Sequence, residues 1–435
     1  MVCLSWTASC STDDFEMAGP ASSACIVSAV TMGQIPAVVN LKQTDGTDSL
    51  VVINVVGANY PMTIDHFGGR IYNLDSLPYG ADVSKVTFTT LSCSGTLGIR
   101  SLYQEGDTLF VATDSTDFRN SRLVTVFAMD GVSSRSYNME VRVHKEDGDA
   151  FVWRKVGENL SALQNIEFTG ALATNDSIFA FGKSEGAPVV AKASLNDASL
   201  WETVALAHEV SAPVNFGEQY YALSQGELMV ATDVANWEVV ATAPKNILAL
   251  TATPNALVVT TAEGFYTSAD GVAWTAEVAD EPQYMPTANV GMAYLTSKTD
   301  ASYIELFAIG DASGTPVVWK HNIDLQGGES FVWNYYPAMA NNPYPCPELQ
   351  GRQLFAYDKG LLQTGVDSNG ELIFYLSRDG GRTWRNDAIP ELDLHAGQVI
   401  TLVDKAQFVW VLSSEGVACR GRYNRLGWTR QDSES

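Results

Sequence analysis

Between Arg154 and Arg352 the chain contains no arginine. A long middle stretch therefore lacks the one side chain that grips carboxylates in a planar, permanently charged fork. Basic charge is scarce elsewhere too, with 26 Lys and Arg against 50 Asp and Glu and a net charge of −24. Such a chain repels a phosphate backbone instead of releasing its counterions, so nucleic acid and anionic lipid surfaces are not expected as partners. No uninterrupted apolar run approaches the roughly 18 to 20 residues that a membrane-crossing helix needs. The six cysteines, Cys3, Cys10, Cys25, Cys93, Cys346 and Cys419, include no C-x-x-C pair. The five histidines, His66, His144, His208, His321 and His395, show no H-E-x-x-H or other ligand spacing. No metal or other cofactor is expected. A G-x-S-x-G nucleophile elbow and a phosphate-binding loop are missing as well.

What the chain does hold is apolar material for two or more packed cores, since 46% of its 435 residues are hydrophobic and 10% aromatic. Helical periodicity is nearly absent. Short runs such as SLVVINVV, KVTFTT, TLFVAT and RLVTVFAM, rich in β-branched and aromatic residues and split by Gly, Asp, Asn and Ser, predict an all-β chain. Residues 24–150 show no internal repeat, and their strand density fits an immunoglobulin-like β-sandwich.

Beyond Trp153 the sequence repeats. Asp197 precedes Trp201 by four residues, Asp233 precedes Trp237 by four, and Asp270 precedes Trp274 by four. The third copy adds Ser268 and Gly271, and the fullest, YLSRDGGRTWR, combines Ser377, Asp379, Gly381, Thr383 and Trp384. Trp333 and Trp428 mark two further repeats, which have Glu329 and Asn424 four residues earlier. The tryptophans are spaced by 36, 37, 59, 51 and 44 residues, against the roughly 40 to 50 of a four-stranded blade. Residues 155–435 are thus expected to form a six-bladed β-propeller. Asp149, four residues before Trp153, leaves seven blades as the alternative.

These turns resemble the Asp-box of sialidase-type propellers. In such a hairpin the carboxylate accepts backbone N–H bonds, Gly supplies a positive φ and the Trp wedges between sheets. Asp379 is accordingly read as a turn clamp and not as a catalytic acid. The resemblance to sialidases implies three arginines from different blades around the substrate carboxylate. Here Arg352, Arg378, Arg382, Arg385, Arg420, Arg422, Arg425 and Arg430 all fall in the last two repeats, which cannot supply that clamp. Glu391 and Asp393, beside His395, form a local acidic pair best explained as an inter-blade loop.

The stretches from Tyr60 to Phe88 and from Arg135 to Trp153, together with the repeats, resemble a family of Bacteroidota surface lipoproteins without an established activity, built from an Ig-like N-terminal domain and a C-terminal propeller. MVCLSWTASC followed by STDDFE resembles the end of a lipoprotein signal with an acidic export patch. It implies lipidation at Cys10, a tether over residues 1–23, and attachment to the outer membrane facing outward, with the periplasm as alternative. Nine residues before Cys10 are too few for a whole signal peptide, so a longer start is expected.

The longest connection, NYYPAMANNPYPCPELQGR, puts Tyr335, Tyr336 and Tyr344 among prolines, and is expected on the ligand-binding face, with Tyr220, Tyr221 and Tyr284 as weaker candidates. Taken together, the sequence predicts a monomeric, non-catalytic surface protein that recognises a glycan or protein. A divergent sialidase-like glycoside hydrolase and an architectural subunit of a surface assembly are the alternatives.

Overall fold

The structure, a computed structural model, describes residues 21–42, 48–392, 394 and 398–428. Cys10, Asp393 and His395 lie outside the described residues. Two compact units emerge, one reaching to Gly148 and including Trp428, the other running from Asp149 to Gly427. Both are built of strands, with helix limited among the described residues to short 3-10 turns.

In the first unit a six-stranded sheet runs in the order Met62–Asp65, Arg70–Asn73, Ser134–Glu140, Arg122–Phe127, Thr96–Arg100, Asp107–Leu109. Ser134–Glu140 lies parallel to Arg70–Asn73 and antiparallel to Arg122–Phe127. Two antiparallel pairs complete the unit, Val27–Met32 with Phe88–Cys93 and Gln34–Lys42 with Asp48–Val56. Alternation sets the inward face: Tyr137 and Met139 are buried while Ser136 and Asn138 are exposed. They join Met32, Ile71, Leu77, Val86 and Val126 in one core. The fully buried Asn73 is satisfied by the carbonyls of Asp75 and Arg142 and by the Arg142 N–H, at 2.7–2.9 Å.

The second unit holds six antiparallel sheets. The first comprises Ile166–Ala173, Ser177–Ser184, Ala187–Ser194 and Trp201–Ala205. The second comprises Ser211–Phe216, Gln219–Ser224, Glu227–Ala231 and Glu238–Val239, and the third Ala249–Ala252, Leu257–Thr260, Phe265–Ser268 and Thr275–Ala276. The fourth has Ala288–Thr296, Tyr303–Ala312, Thr315–Asp324 and Asn334–Tyr336. The fifth has Gln350–Tyr357, Gly360–Val366 and Leu372–Ser377, its fourth strand reduced to a single bridge between Leu376 and Arg385. The sixth joins both ends of the unit: Val399–Val403, Val409–Ser413 and Val417–Tyr423 are followed by Phe151–Gly157, which pairs antiparallel with Val417–Tyr423.

The innermost strand of each sheet touches those of the sheets before and after it, and the sixth returns to the first. This closed cycle is a β-propeller. The second strands Leu257–Thr260 and Val409–Ser413 are buried at every residue because sheets stack on both faces, which is why they read as continuous apolar runs and not as alternation. Six hydrophobic clusters fill the spaces between successive sheets.

Two sequence expectations are corrected here. Trp428 does not mark a repeat of the propeller; it belongs to the first unit, where its ring stacks on His144 with centroids 3.5 Å apart. The outer strand of the sixth sheet carries Trp153 instead, so the Asp149–Trp153 spacing belongs to that sheet. The strand begins at Phe151 because a ring of sheets has no free edge only if its two ends pair with each other.

Candidate functional site

The recurrent Asp–Trp turns join the third and fourth strands of their sheets, and their carboxylates point back into the turn. Asp197 Oδ1 accepts the Ser199 N–H at 3.2 Å. Asp233 Oδ1 accepts from Ala235 and Asn236 at 2.8 and 2.9 Å, and Asp270 Oδ1 from Val272 and Ala273, both at 2.8 Å. Asp379 takes the N–H groups of Arg382 and Thr383 and the Thr383 hydroxyl, at 3.2, 2.9 and 2.7 Å. Ser268 and Ser377 hydroxyls bridge their Asp to the N–H of Gly271 and Gly381. Bonds of this kind hold Asp197, Asp233 and Asp270 below the ordinary carboxylate range, the Ser199 hydroxyl, the Asn236 side chain and the Ala273 N–H being the respective leading causes. At Asp379 burial pushes upward, but Thr383 and Ser377 outweigh it. None of these groups is poised to give up a proton near neutrality.

Three of the four tryptophans close their turns. The indole N–H donates to the carbonyl three residues earlier, from Trp201 to Ala198, Trp237 to Val234 and Trp384 to Gly381, at 2.8–3.0 Å. The rings of Trp237 and Trp384 lie between their own sheet and the preceding one, where burial stabilises by about 2–3 kcal/mol each. Trp274 packs between the second and third sheets, but its indole N–H has no partner. Gly271 has φ +76°, and a Cβ there would lie 2.5 Å from the Tyr221 hydroxyl, so both conformation and space require glycine. Two clamps escaped the sequence analysis because their Asp stands at another offset from a tryptophan. Asp324 accepts the N–H groups of Gln326, Gly328 and Glu329 at 2.8–3.0 Å. The buried Asp404 accepts those of Phe408 and the Trp410 indole at 2.9 and 2.8 Å.

The candidate tyrosines of the long connection pack against neighbours of the fourth and fifth sheets. Tyr335 and Tyr336 sit in the outer strand of the fourth sheet; Tyr335 stacks on Tyr284 at 4.5 Å, and Arg382 covers Tyr336 at 5.6 Å. Tyr344 lies under Arg385 at 4.7 Å, and its carbonyl accepts the Trp384 N–H at 3.0 Å. The long connection therefore packs against the turn of the fifth sheet, and none of these rings lines the central cavity. Tyr221 is buried with its hydroxyl on Gln219 at 2.9 Å, and Tyr220 is half-buried. Arginines of the last two sheets are also committed within the fold. Arg352 pairs with Asp311 at 2.9 Å, Arg378 and Arg425 share Asp358, and Arg420 lies over Phe408 and Trp410.

The six inner strands surround a cavity of about 1370 Å³. Its lining mixes apolar strand edges with Asn215, Thr251, Asn289, Tyr294, Ser297 and Gln353. Its charged residues are Lys298, Arg352, Lys359, Lys405 and a single carboxylate, Asp404, already bonded to two N–H groups. Hydrolysis of a glycosidic bond by paired carboxylates needs two, about 5 to 9 Å apart. Among the described residues no group of three or more His, Cys, Asp or Glu side chains is placed to hold a metal ion.

Comparison with known proteins follows the same division. Residues 147–431 match the model of the DUF6242 β-propeller domain, and residues 37–141 that of the DUF6242 N-terminal domain, a domain of unknown function. No curated protein matches the chain in sequence. Among solved structures it is similar to the BP39L lectin of Burkholderia pseudomallei, at 14% identity and a TM-score of 0.38, over 71% of this chain and 93% of the lectin. The SapL1 lectin, solved with alpha methyl fucoside, gives 11% identity and a TM-score of 0.39 over 58% and 91%. The extracellular domain of a putative hybrid two component system from B. thetaiotaomicron gives 8% and 0.37 over 89% and 56%. With its two domains matched in order along the sequence, this chain belongs to the DUF6242 family.

Proposed function

We propose that this chain is a non-catalytic recognition protein of the cell surface, which binds a glycan or protein through the central opening of a six-bladed propeller. In this reading each of the six sheets is a blade, the first unit is an Ig-like spacer, and lipidation of Cys10 tethers a monomer to the outer membrane. The observation that carries it is the cavity: about 1370 Å³ lined by polar and apolar strand edges, with one carboxylate, which is already engaged. A space of that size suits a ligand, while its lining offers no acid and base pair for hydrolysis.

A glycan array and a panel of model glycosides, both run on the full chain, test the reading together. Retention of a glycan without its cleavage supports recognition. Release of a sugar, sialic acid included, would favour a hydrolase, and no glycan retained together with no protein captured would favour an architectural subunit. For the tether, Cys10→Ala in a chain carrying its export signal should abolish labelling with a fatty-acid analogue; persistent labelling would refute the assignment.

A further inference from the structure

The lysines of the propeller fall into two groups. Lys155, Lys183, Lys192, Lys245 and Lys320 each hold a glutamate, at 2.5–3.3 Å. Lys298, Lys359 and Lys405 have no carboxylate partner among the described residues, and all three are exposed and line the central cavity. Their positions are related. Each lies in the turn that leaves the inner strand of its sheet, Ala288–Thr296, Gln350–Tyr357 or Val399–Val403, so consecutive sheets bring them to one end of the channel.

Local bonds aim two of them without neutralising them: Lys298 Nζ donates to the Arg378 carbonyl at 3.1 Å and Lys405 Nζ to Asn175 Oδ1 at 2.5 Å. The acidic side chains of the same turns keep their charge but form their bonds to groups other than the lysines. Asp358 is held by Arg378 and Arg425, Asp404 by Phe408 and Trp410, Asp300 by Ser302 and Asp176 by the Thr174 hydroxyl. Glu218, in the corresponding turn of the second sheet, is outside the cavity lining. Arg352 is buried and paired with Asp311, so the lining carries three ammonium groups without a carboxylate partner among the described residues against one carboxylate, in a chain of net charge −24. Ammonium groups without a carboxylate partner, clustered at the mouth of a low-dielectric channel, attract ions of the other sign, and they bind anionic oxygens as point charges without demanding one geometry.

Resting on the recognition reading above, we propose that this mouth binds an acidic saccharide, with Lys298, Lys359 and Lys405 meeting a carboxylate or sulfate on the sugar. The shared chemistry is an anionic oxygen group on a carbohydrate small enough to enter the cavity.

The test is titration calorimetry on the full chain with trigalacturonate, its neutral methyl ester, a sulfated disaccharide and triglutamate. Binding of trigalacturonate or the sulfated sugar is expected, weakening as salt rises from about 20 to about 300 mM. The ester should bind at least about tenfold less tightly, and the combined Lys298→Gln, Lys359→Gln and Lys405→Gln variant should lose about tenfold. These side chains are exposed, so the variant's melting temperature should match that of the parent. Lack of binding by both acidic sugars, equal affinity for acid and ester, or full affinity in the variant would each overturn the inference. Triglutamate binding as tightly as the sugars would overturn the carbohydrate class. If neutral glycans are retained on the array while the acidic sugars fail, this inference falls and the recognition reading stands.

Discussion

Replacing Trp153 should destabilise the propeller and replacing Trp428 should not, although the repeat spacing alone makes Trp428 the marker of the last repeat. Trp153 lies in the strand that closes the ring, half-buried, 4.9 Å from the Phe151 ring and 5.4 Å from that of Phe374. Its indole N–H donates to the Pro390 carbonyl at 2.8 Å. A fully buried aromatic replaced by Ala costs about 3–5 kcal/mol. Half of that, with about 1 kcal/mol for the lost hydrogen bond, gives about 2.5–3.5 kcal/mol for Trp153→Ala. For a unit of this size the propeller transition should fall by about 5–10 °C. Trp428 is 36% exposed and stacks on His144 within the first unit. Trp428→Ala should leave the propeller transition in place. Calorimetry locates the transitions, and hydrogen exchange resolved by peptide assigns them: Trp153→Ala should deprotect Phe151–Gly157 and its partner Val417–Tyr423. Equal deprotection of these strands by Trp428→Ala, or none by Trp153→Ala, would refute closure of the ring through this strand.

Other perturbations follow from the same geometry. Burial alone would raise the Asp358 pKa, but bonds from Arg425 and Arg378 outweigh it and hold it below 3.8. A lowered native pKa contributes stability that is complete above the unfolded value and disappears as pH falls through the folded one. Asp358→Asn should therefore cost about 2–4 kcal/mol at pH 7, and its deficit against the parent should narrow below about pH 4; a pH-independent deficit in thermal melts would contradict the ion-pair account. At Gly381, φ is +81° and a Cβ would lie 3.3 Å from Val318, whereas Gly314, at φ +80°, has open space. In urea titrations Gly381→Ala should cost about 1–2 kcal/mol and Gly314→Ala about 1 kcal/mol, an order whose reversal would dispute the crowding at Val318. Trp237 donates to Val234 at 2.9 Å while the Trp274 N–H is unpartnered. Trp237→Phe should exceed Trp274→Phe in cost by about 1 kcal/mol by the same titration, and equal costs would show that the hydrogen bond contributes nothing.

Much of the fold was legible before any coordinates. The Asp–Trp offset recurs because a hairpin of fixed length must bring one carboxylate onto its own N–H groups and one indole back onto a carbonyl three residues earlier. Local geometry of this sort is encoded locally, so Asp197, Asp233, Asp270 and Asp379 could be placed in turns from spacing alone. Asp324 and Asp404 do the same work at other offsets, and no periodicity marks them. The neighbours of the tyrosines were not legible for a different reason. Tyr335 stacks on Tyr284 and Tyr344 lies under Arg385, contacts between residues far apart in sequence.

By itself the sequence determined the class of structure and the turns that punctuate it, since strand patterning and turn chemistry act over a few residues. It also determined that the middle repeats lack arginine. Tertiary structure alone decided three things: that residues 151–157 close the sixth sheet, that Trp428 belongs to the first unit, and that three lysines without a carboxylate partner among the described residues line one cavity. Each depends on contacts between residues far apart in sequence, as much as 272 positions for Phe151 and Tyr423, and no local pattern carries a separation of that length.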